Sequence, residues 1–212
     1  MARFIRAREA WSVAMAARGR VRWRRFALIF TPAVAVAALL VGATAQGVIG
    51  ASFVVSGDTF KLATAELRGQ GFALAGGVVR NAKGQVIPVV KTGIRRAVAT
   101  GLCQSVLIRS PLGSVTVRLT GGLGGNEVTV ENMVVDVAVA RTAATLTGIQ
   151  LGRDAGTLDA VPGLRGPVGT FGGQGRTITL RDVRLQAWAV TAATFSLPDL
   201  TMKVIPGVHE CF

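Results

Sequence analysis

The chain contains no tyrosine, a single histidine and only two cysteines. Each scarcity removes a class of chemistry. One histidine and two distant cysteines cannot assemble a zinc site of ordinary spacing. A Ser-His-acid triad would have to use His209, close to the C-terminus, where fraying is the default, whereas a general base must be held rigidly. The serines of the second part of the chain are Ser52, Ser56, Ser105, Ser110, Ser114 and Ser196. None lies in G-x-S-x-G, and the strand–turn–helix setting of a nucleophile elbow is missing. Beyond residue 52 there is one tryptophan, Trp188, with scattered phenylalanines, so a lectin that stacks sugars on aromatic platforms is not expected. "RDAGTLD" offers Asp154 and Asp159 without the D-x-D-x-D-G order of a calcium loop. Both read as polar loop carboxylates near Arg153 and Arg165. "GGLGGNE" (121–127) lacks G-K-[ST] and opens a strand, so it reads as a hairpin turn rather than a phosphate loop. No catalytic, cofactor-binding or metal-binding residue is assigned, no cofactor is expected, and the protein is expected not to be an enzyme.

Charge is also scarce, at 17% of residues, while half the chain is hydrophobic. That balance favours a folded core over disorder. The 27 glycines follow no G-X-Y period, which leaves them as turns.

What is present is unevenly placed. Arg3, Arg6, Arg8, Arg18, Arg20, Arg22, Arg24 and Arg25 crowd the first 25 residues, opposed only by Glu9. The formal net charge of +13 therefore comes largely from a basic head. No recognition motif for nucleic acid accompanies it. Directly after it runs "FALIFTPAVAVAALLVGATA" (26–45), uncharged and long enough to cross the ~30 Å hydrocarbon core as a helix. Arg18, Arg20, Arg22, Arg24 and Arg25 orient such a segment with the N-terminus in the cytoplasm and the rest outside. Trp23 suits the interface. Two fates stay open. The segment is retained as a single-pass anchor, or it is cleaved after the small-x-small triplet ending at Ala45, before Gln46, releasing a secreted domain. Residues 1–25 thus read as a cytoplasmic head, 26–45 as an anchor or signal segment, and 52–212 as an extracytoplasmic domain in a cell envelope, with the lipid bilayer as first partner.

Residues 52–212 alternate apolar and polar positions in "SVTVRL", "EVTVENMVVDVAVA" and "TITLRDVRLQAWAV", with Gly and Pro as punctuation, which predicts an all-β domain. A finer pattern, apolar-x-apolar-x-x-apolar-x-apolar, fits Phe60, Leu62, Ala65, Leu67 and recurs from Val128, Ala144, Ile178 and Phe195. Positions three apart face opposite ways in a flat strand. Keeping all four apolar residues on one side requires a bend or bulge at the two-residue insert: Glu131-Asn132, Thr147-Gly148, Arg181-Asp182 or Pro198-Asp199. In addition, 128–151 resembles 178–200, with "TAAT" in both. These features predict a β-solenoid-like stack, or a strongly curved sheet or sandwich with an internal repeat. Residues 152–175 read as a long surface loop. The alternating faces are aliphatic. An open curved sheet of that kind would hold a lipid or another apolar ligand.

Cys103 and Cys211 are an even pair in a chain read as exported, which predicts a disulfide, with two free thiols as the alternative. The stretches "SGDTFKLATAELRGQGFALAGG", "GLCQSV", "GRDAGTLDAVPG", "QAWAVTAATFSLPDL" and the closing "ECF" resemble a family of exported or membrane-anchored actinobacterial proteins of Streptomyces type. That family has no established activity, although its members often carry the name cholesterol esterase. The resemblance reinforces Cys103 and Cys211 as family features and supplies no catalytic residue. The expectation is a membrane-anchored envelope protein with a non-catalytic β domain that binds or passes a lipid or apolar molecule. The alternatives are a lipid esterase and an assembly module for a partner membrane protein.

Overall fold

In a computed structural model the chain is described at residues 56–212, together with 23–24, 26–28, 30–34 and 38, and it divides into units 1–49 and 50–212. The described residues of the first unit are helical and exposed. Phe30 stacks on Phe26 with ring centroids 4.9 Å apart, the spacing of residues one turn along a helix. Among the described residues no helix is long and apolar enough to cross a membrane. The transmembrane helix expected over 26–45 is therefore not found. Of that run, residues 29, 35–37 and 39–45 lie outside the described residues. Arg24 is helical and exposed. Arg18, Arg20, Arg22, Arg25, Ala45 and Gln46 lie outside the described residues.

The second unit is all-β. Its strands are β1 (Phe60–Arg80), β2 (Val86–Thr100), β3 (Leu102–Ser110), β4 (Gly113–Gly121), β5 (Val128–Thr147), β6 (Gln150–Asp154), β7 (Phe171–Thr191), β8 (Thr194–Ser196) and β9 (Thr201–Pro206), with one 3-10 turn at Ala155–Thr157. They form a single sheet in which every ladder is antiparallel. That overturns the solenoid, whose stacked coils would pair in parallel, and the two-sheet sandwich. Four long strands pair in a circuit: β1 with β2, β2 with β5, β5 with β7, and β7 with β1. One sheet achieves this only by folding back on itself. It is no regular barrel, because the sheet runs on past the circuit through β6 at one side and β3, β4 and β9 at the other.

The bends lie where the apolar pattern placed its inserts. The second residue of four of them is left-handed: Asn132 (φ 48°), Gly148 (φ 59°), Asp182 (φ 51°) and Asp199 (φ 54°). Asn, Asp and Gly are the residues that enter this region at least expense. Asn132 and Asp182 sit inside the long strands β5 and β7. Each interrupts its ladder for one residue, so pairing resumes with the apolar side unchanged. That mid-strand left-handed bend, with one residue skipped on each of the paired strands, is what the insert encodes rather than a solenoid corner. The internal repeat is β5 with its sequel and β7 with its sequel. Thr129 pairs with Val98 and its match Thr179 pairs with Arg68, while Arg68 and Val98 pair with each other. The two halves of the circuit therefore occupy equivalent places.

The main core lies inside the circuit, with Phe72, Ile94, Val128, Val130, Met133 and Ile178 among its buried residues. A methyl group at Gly69 would stand 2.7 Å from Ile94 Cγ2 and 2.9 Å from Ile178 Cγ2, so side chains already fill the interior there. A second core forms on the opposite face. Ala73 and Ala75 of β1 meet Leu158, Val161 and Leu164. The stretch 152–175 is thus a packed cap rather than a surface loop, and its apolar residues recur every third position through a Gly- and Pro-rich run. The segment 121–127 joins β4 to β5, which are not neighbours in the sheet, so it is a crossover and not a hairpin turn.

Candidate functional site

Strands β3, β4 and β9 make a three-stranded wing that joins the circuit at the root, through the pairs Lys61–Ser105, Leu62–Gln104 and Ala63–Cys103. Residues directly opposite in a ladder project to the same side. Leu62 is buried in the main core, so its row fixes the core side of the wing: Gln104, Leu119 and Met202. Alternation adds Val106, Val117 and Val204, then Ile108, Val115 and Pro206. The reverse side carries Cys103, Ser105 and Leu107 of β3 with Thr116, Arg118 and Thr120 of β4.

The reverse side is covered around Ser105 and Thr116 by the last residues of the chain. Gly207 N–H donates to Ser114 O at 2.8 Å. The Thr116 hydroxyl donates to Gly207 O at 2.8 Å and accepts from His209 N–H at 2.9 Å. Ser105 Oγ accepts from Cys211 N–H at 3.0 Å. Lys61 Nζ donates to Glu210 Oε2 at 3.0 Å and to Phe212 O at 2.9 Å, and lies 5.1 Å from the centre of the Phe212 ring. Cys103 and Cys211 are joined in a disulfide across a Cα separation of 5.9 Å. Ser105 and Thr116 are consequently sealed from solvent, polar though they are, and each is satisfied by the tail.

The core side of the wing has no such cover beyond its root. There Leu102 is buried and Leu197 closes over Gly121. Further out Ile108 is 50% exposed, Met202 62% and Val204 68%. Leu112, at the tip of the β3–β4 hairpin, is fully exposed. The interior of the circuit thus continues outward as an open apolar face. The three strands of the wing contain Arg109, Arg118 and Lys203 and no carboxylate.

Clefts also lie elsewhere on the sheet. One, of about 630 Å³, is lined by Arg68, Arg96, Glu127, Thr177 and Thr179. Its charges are spent on one another or on close neighbours, since Arg68 pairs with Glu127 and Glu66, and Arg96 with Glu131. The adjoining one, of about 350 Å³, runs past Arg95, Asn132 and Pro162. Asn132 Oδ1 is buried there without a hydrogen-bond partner, at the left-handed bend of β5.

The remaining sequence candidates are dispersed. Ser56 Oγ donates to Asp58 O, Ser196 ends β8, and Ser105 is enclosed under the tail. Among the described residues no hydrogen bond joins a serine hydroxyl to the His209 ring, which is exposed beside the disulfide. Asp154 accepts from the N–H groups of Gly156 and Gly169, both at 2.8 Å, and so closes the start of the cap. The Asp159 carboxyl is held below its usual range by the side-chain hydrogen bond from Gln174 and then by the Arg153 charge. Among the described residues no group of three or more His, Cys, Asp and Glu is gathered for a metal ion. Arg165 lies in the cap, exposed.

The open face was only half visible beforehand. "SVTVRL" alternates, and so does "TMKVIP" in β9, which announces one apolar side. No local signal tells which side of a strand the rest of the chain leaves bare.

No curated protein and no solved structure matches the chain. Residues 56–212, the whole β unit with its tail, match a family of unknown function, and the chain belongs to that family, DUF6230.

Proposed function

We propose that this is a cell-envelope protein whose extracytoplasmic β domain works without catalysis, by receiving a lipid or other apolar partner on the open face of the wing. The observation that carries the reading is the continuity of that face with the main core: Met202, Val204 and Ile108 extend an aliphatic interior into solvent. An exposed contiguous apolar patch rimmed by polar residues marks an interaction site. The compartment is supported by the arginine-rich head before an uncharged run at 26–45, by the disulfide, which suits an oxidising environment, and by the resemblance to exported actinobacterial proteins. The segment 26–45 serves as a retained anchor in this reading, with release after Ala45 as the other fate. The name cholesterol esterase, carried by similar proteins, gains no support from Ser105, whose hydroxyl is sealed and engaged with Cys211 N–H.

Native mass spectrometry and lipid extraction of the protein purified in a mild detergent, with a fluorescent apolar probe as competitor, test the reading. Bound lipid or probe that is lost in Met202→Asp/Val204→Asp is the expected result. A ligand-free protein that ignores the probe sinks it. Turnover of short- and long-chain esters, abolished by Ser105→Ala, would replace it with the esterase. Crosslinking of the face to a protein in native membranes would replace it with an assembly module.

A further inference from the structure

We infer that the occupant of the open face is the surface of an anionic lipid bilayer, on which the wing lies with its core side down. The inference rests on the reading above and gives the apolar partner a chemistry. Elements that lie in a membrane interface present apolar side chains to the acyl boundary and cations on the polar side at headgroup depth. The wing has this construction in β form. Ile108, Met202 and Val204 project from one side, and Leu112 caps the hairpin tip between them and solvent. Arg109 beside the tip and Lys203 on the outermost strand are exposed on the other side. No carboxylate in the three strands opposes an anionic surface. Each cation near such a surface strengthens binding about fivefold.

A second copy of the chain is the poorer occupant. β9 is the free edge of the wing, and it carries Lys203 and Pro206, residue types that discourage edge-to-edge pairing. Lys203 also stands opposite Arg118 in the ladder, and like charges set face to face repel. An anionic surface relieves that repulsion, whereas a second cationic wing at the β9 edge adds to it. Where the chain enters the domain agrees with the bilayer. β1 begins at Phe60, next to Lys61 at the root of the wing. Only residues 46–59 separate it from the apolar run, a span of at most about 50 Å when fully extended.

The test uses the full chain in nanodiscs, so that the N-terminal segment is common to every arm. Leu112→Trp places a reporter at the exposed tip, read against the parent, whose own tryptophans give the background. Quenching of the added signal by brominated lipid is expected in phosphatidylglycerol-rich discs, and it should weaken in phosphatidylcholine discs or at high salt. Met202→Asp/Val204→Asp in the same background should abolish it. Arg109→Gln and Lys203→Gln should each shift the lipid-composition midpoint about fivefold. The intact disulfide, scored by alkylation without reductant, shows that each variant is folded. Three results overturn the proposal: no quenching in any disc, quenching indifferent to the two Asp substitutions, or a face-to-face dimer found by sedimentation and crosslinking at Val204. If quenching fails while the apolar probe still binds and is lost in Met202→Asp/Val204→Asp, the occupant alone is wrong. If the probe fails as well, the reading of the face falls with it.

Discussion

The two sides of the wing share their strands and their alternation, yet one is closed and the other is open. The closed side mixes polar and apolar residues: Cys103, Ser105 and Leu107 with Thr116, Arg118 and Thr120. The open side is almost purely aliphatic. Hydrophobicity alone would have the tail cover the aliphatic side. The chain instead lays its last residues where hydrogen bonds and a covalent link hold them. An aliphatic side gives an extended tail nothing to satisfy its backbone groups. The other side supplies the hydroxyls of Ser105 and Thr116, and Lys61 for the terminus. Cover by a polar strap thus leaves the apolar side open.

The largest break in this comparison comes from the disulfide. It closes a loop across a sequence separation of 108. In the chain-entropy model such a closure contributes about 4–5 kcal/mol. Cys103→Ser/Cys211→Ser is therefore expected to lose most of that stability in urea denaturation, and reductant should do the same to the parent. Without the bridge the tail is held only by its hydrogen bonds and by Lys61, and the closed side opens too. Leu107 then joins the exposed apolar surface, so dye binding rises as stability falls. An unchanged midpoint would show that the polar strap holds by itself.

The next test leaves the bridge in place and removes one hydroxyl. Thr116→Val keeps the volume of a fully buried side chain and strands two backbone groups, Gly207 C=O and His209 N–H. Leaving such groups unsatisfied costs about 1–3 kcal/mol. Hydrogen exchange at His209 should accelerate in step. Ser105→Ala removes a single acceptor, that of Cys211 N–H, and is expected to cost about 1 kcal/mol. A larger loss for Ser105 than for Thr116 would reverse the order of the two anchors.

How far the sequence discloses this arrangement depends on the range of the interaction. The bends are local and legible. The apolar pattern needs a two-residue insert, and Asn132, Gly148, Asp182 and Asp199 take left-handed conformations at its second position. Gly71 bends β1 in the same way (φ 69°), but Gly69 stands where the pattern has an apolar side chain, so the four-residue pattern does not flag it. The closing of β1 onto β7 is a pairing between the start and the end of the domain, such as Phe60 with Ala187, and no short window contains it. The cap is hidden in the sequence because Leu158, Val161 and Leu164 recur every third position, the period of neither a helix nor a strand, among Gly and Pro. Their burial depends on Gly93, where a methyl would come within 2.6 Å of Leu164 Cδ1. The cysteine pair was legible from parity. The bareness of the Met202 side was not, because alternation fixes two sides and leaves their cover to the rest of the fold.

The smallest effect on stability is the most telling one for function. Met202→Thr and Val204→Thr keep good strand formers in an exposed edge strand. Surface substitutions of this kind change stability by no more than about 0.5 kcal/mol. If the open side were a defect of packing, such changes would be neutral in every assay and would improve solubility. If it is an acceptor for an apolar partner, the unfolding midpoint stays put while bound lipid or probe is lost, and that separation of readouts is the expected result. At Ser105 and Thr116 on the closed side no such separation is expected, because both are buried and each of their contacts serves the fold. A pair of Thr variants that lose stability and lipid together would place Met202 and Val204 within the core's own packing, and the distinction between the two sides would then be one of degree.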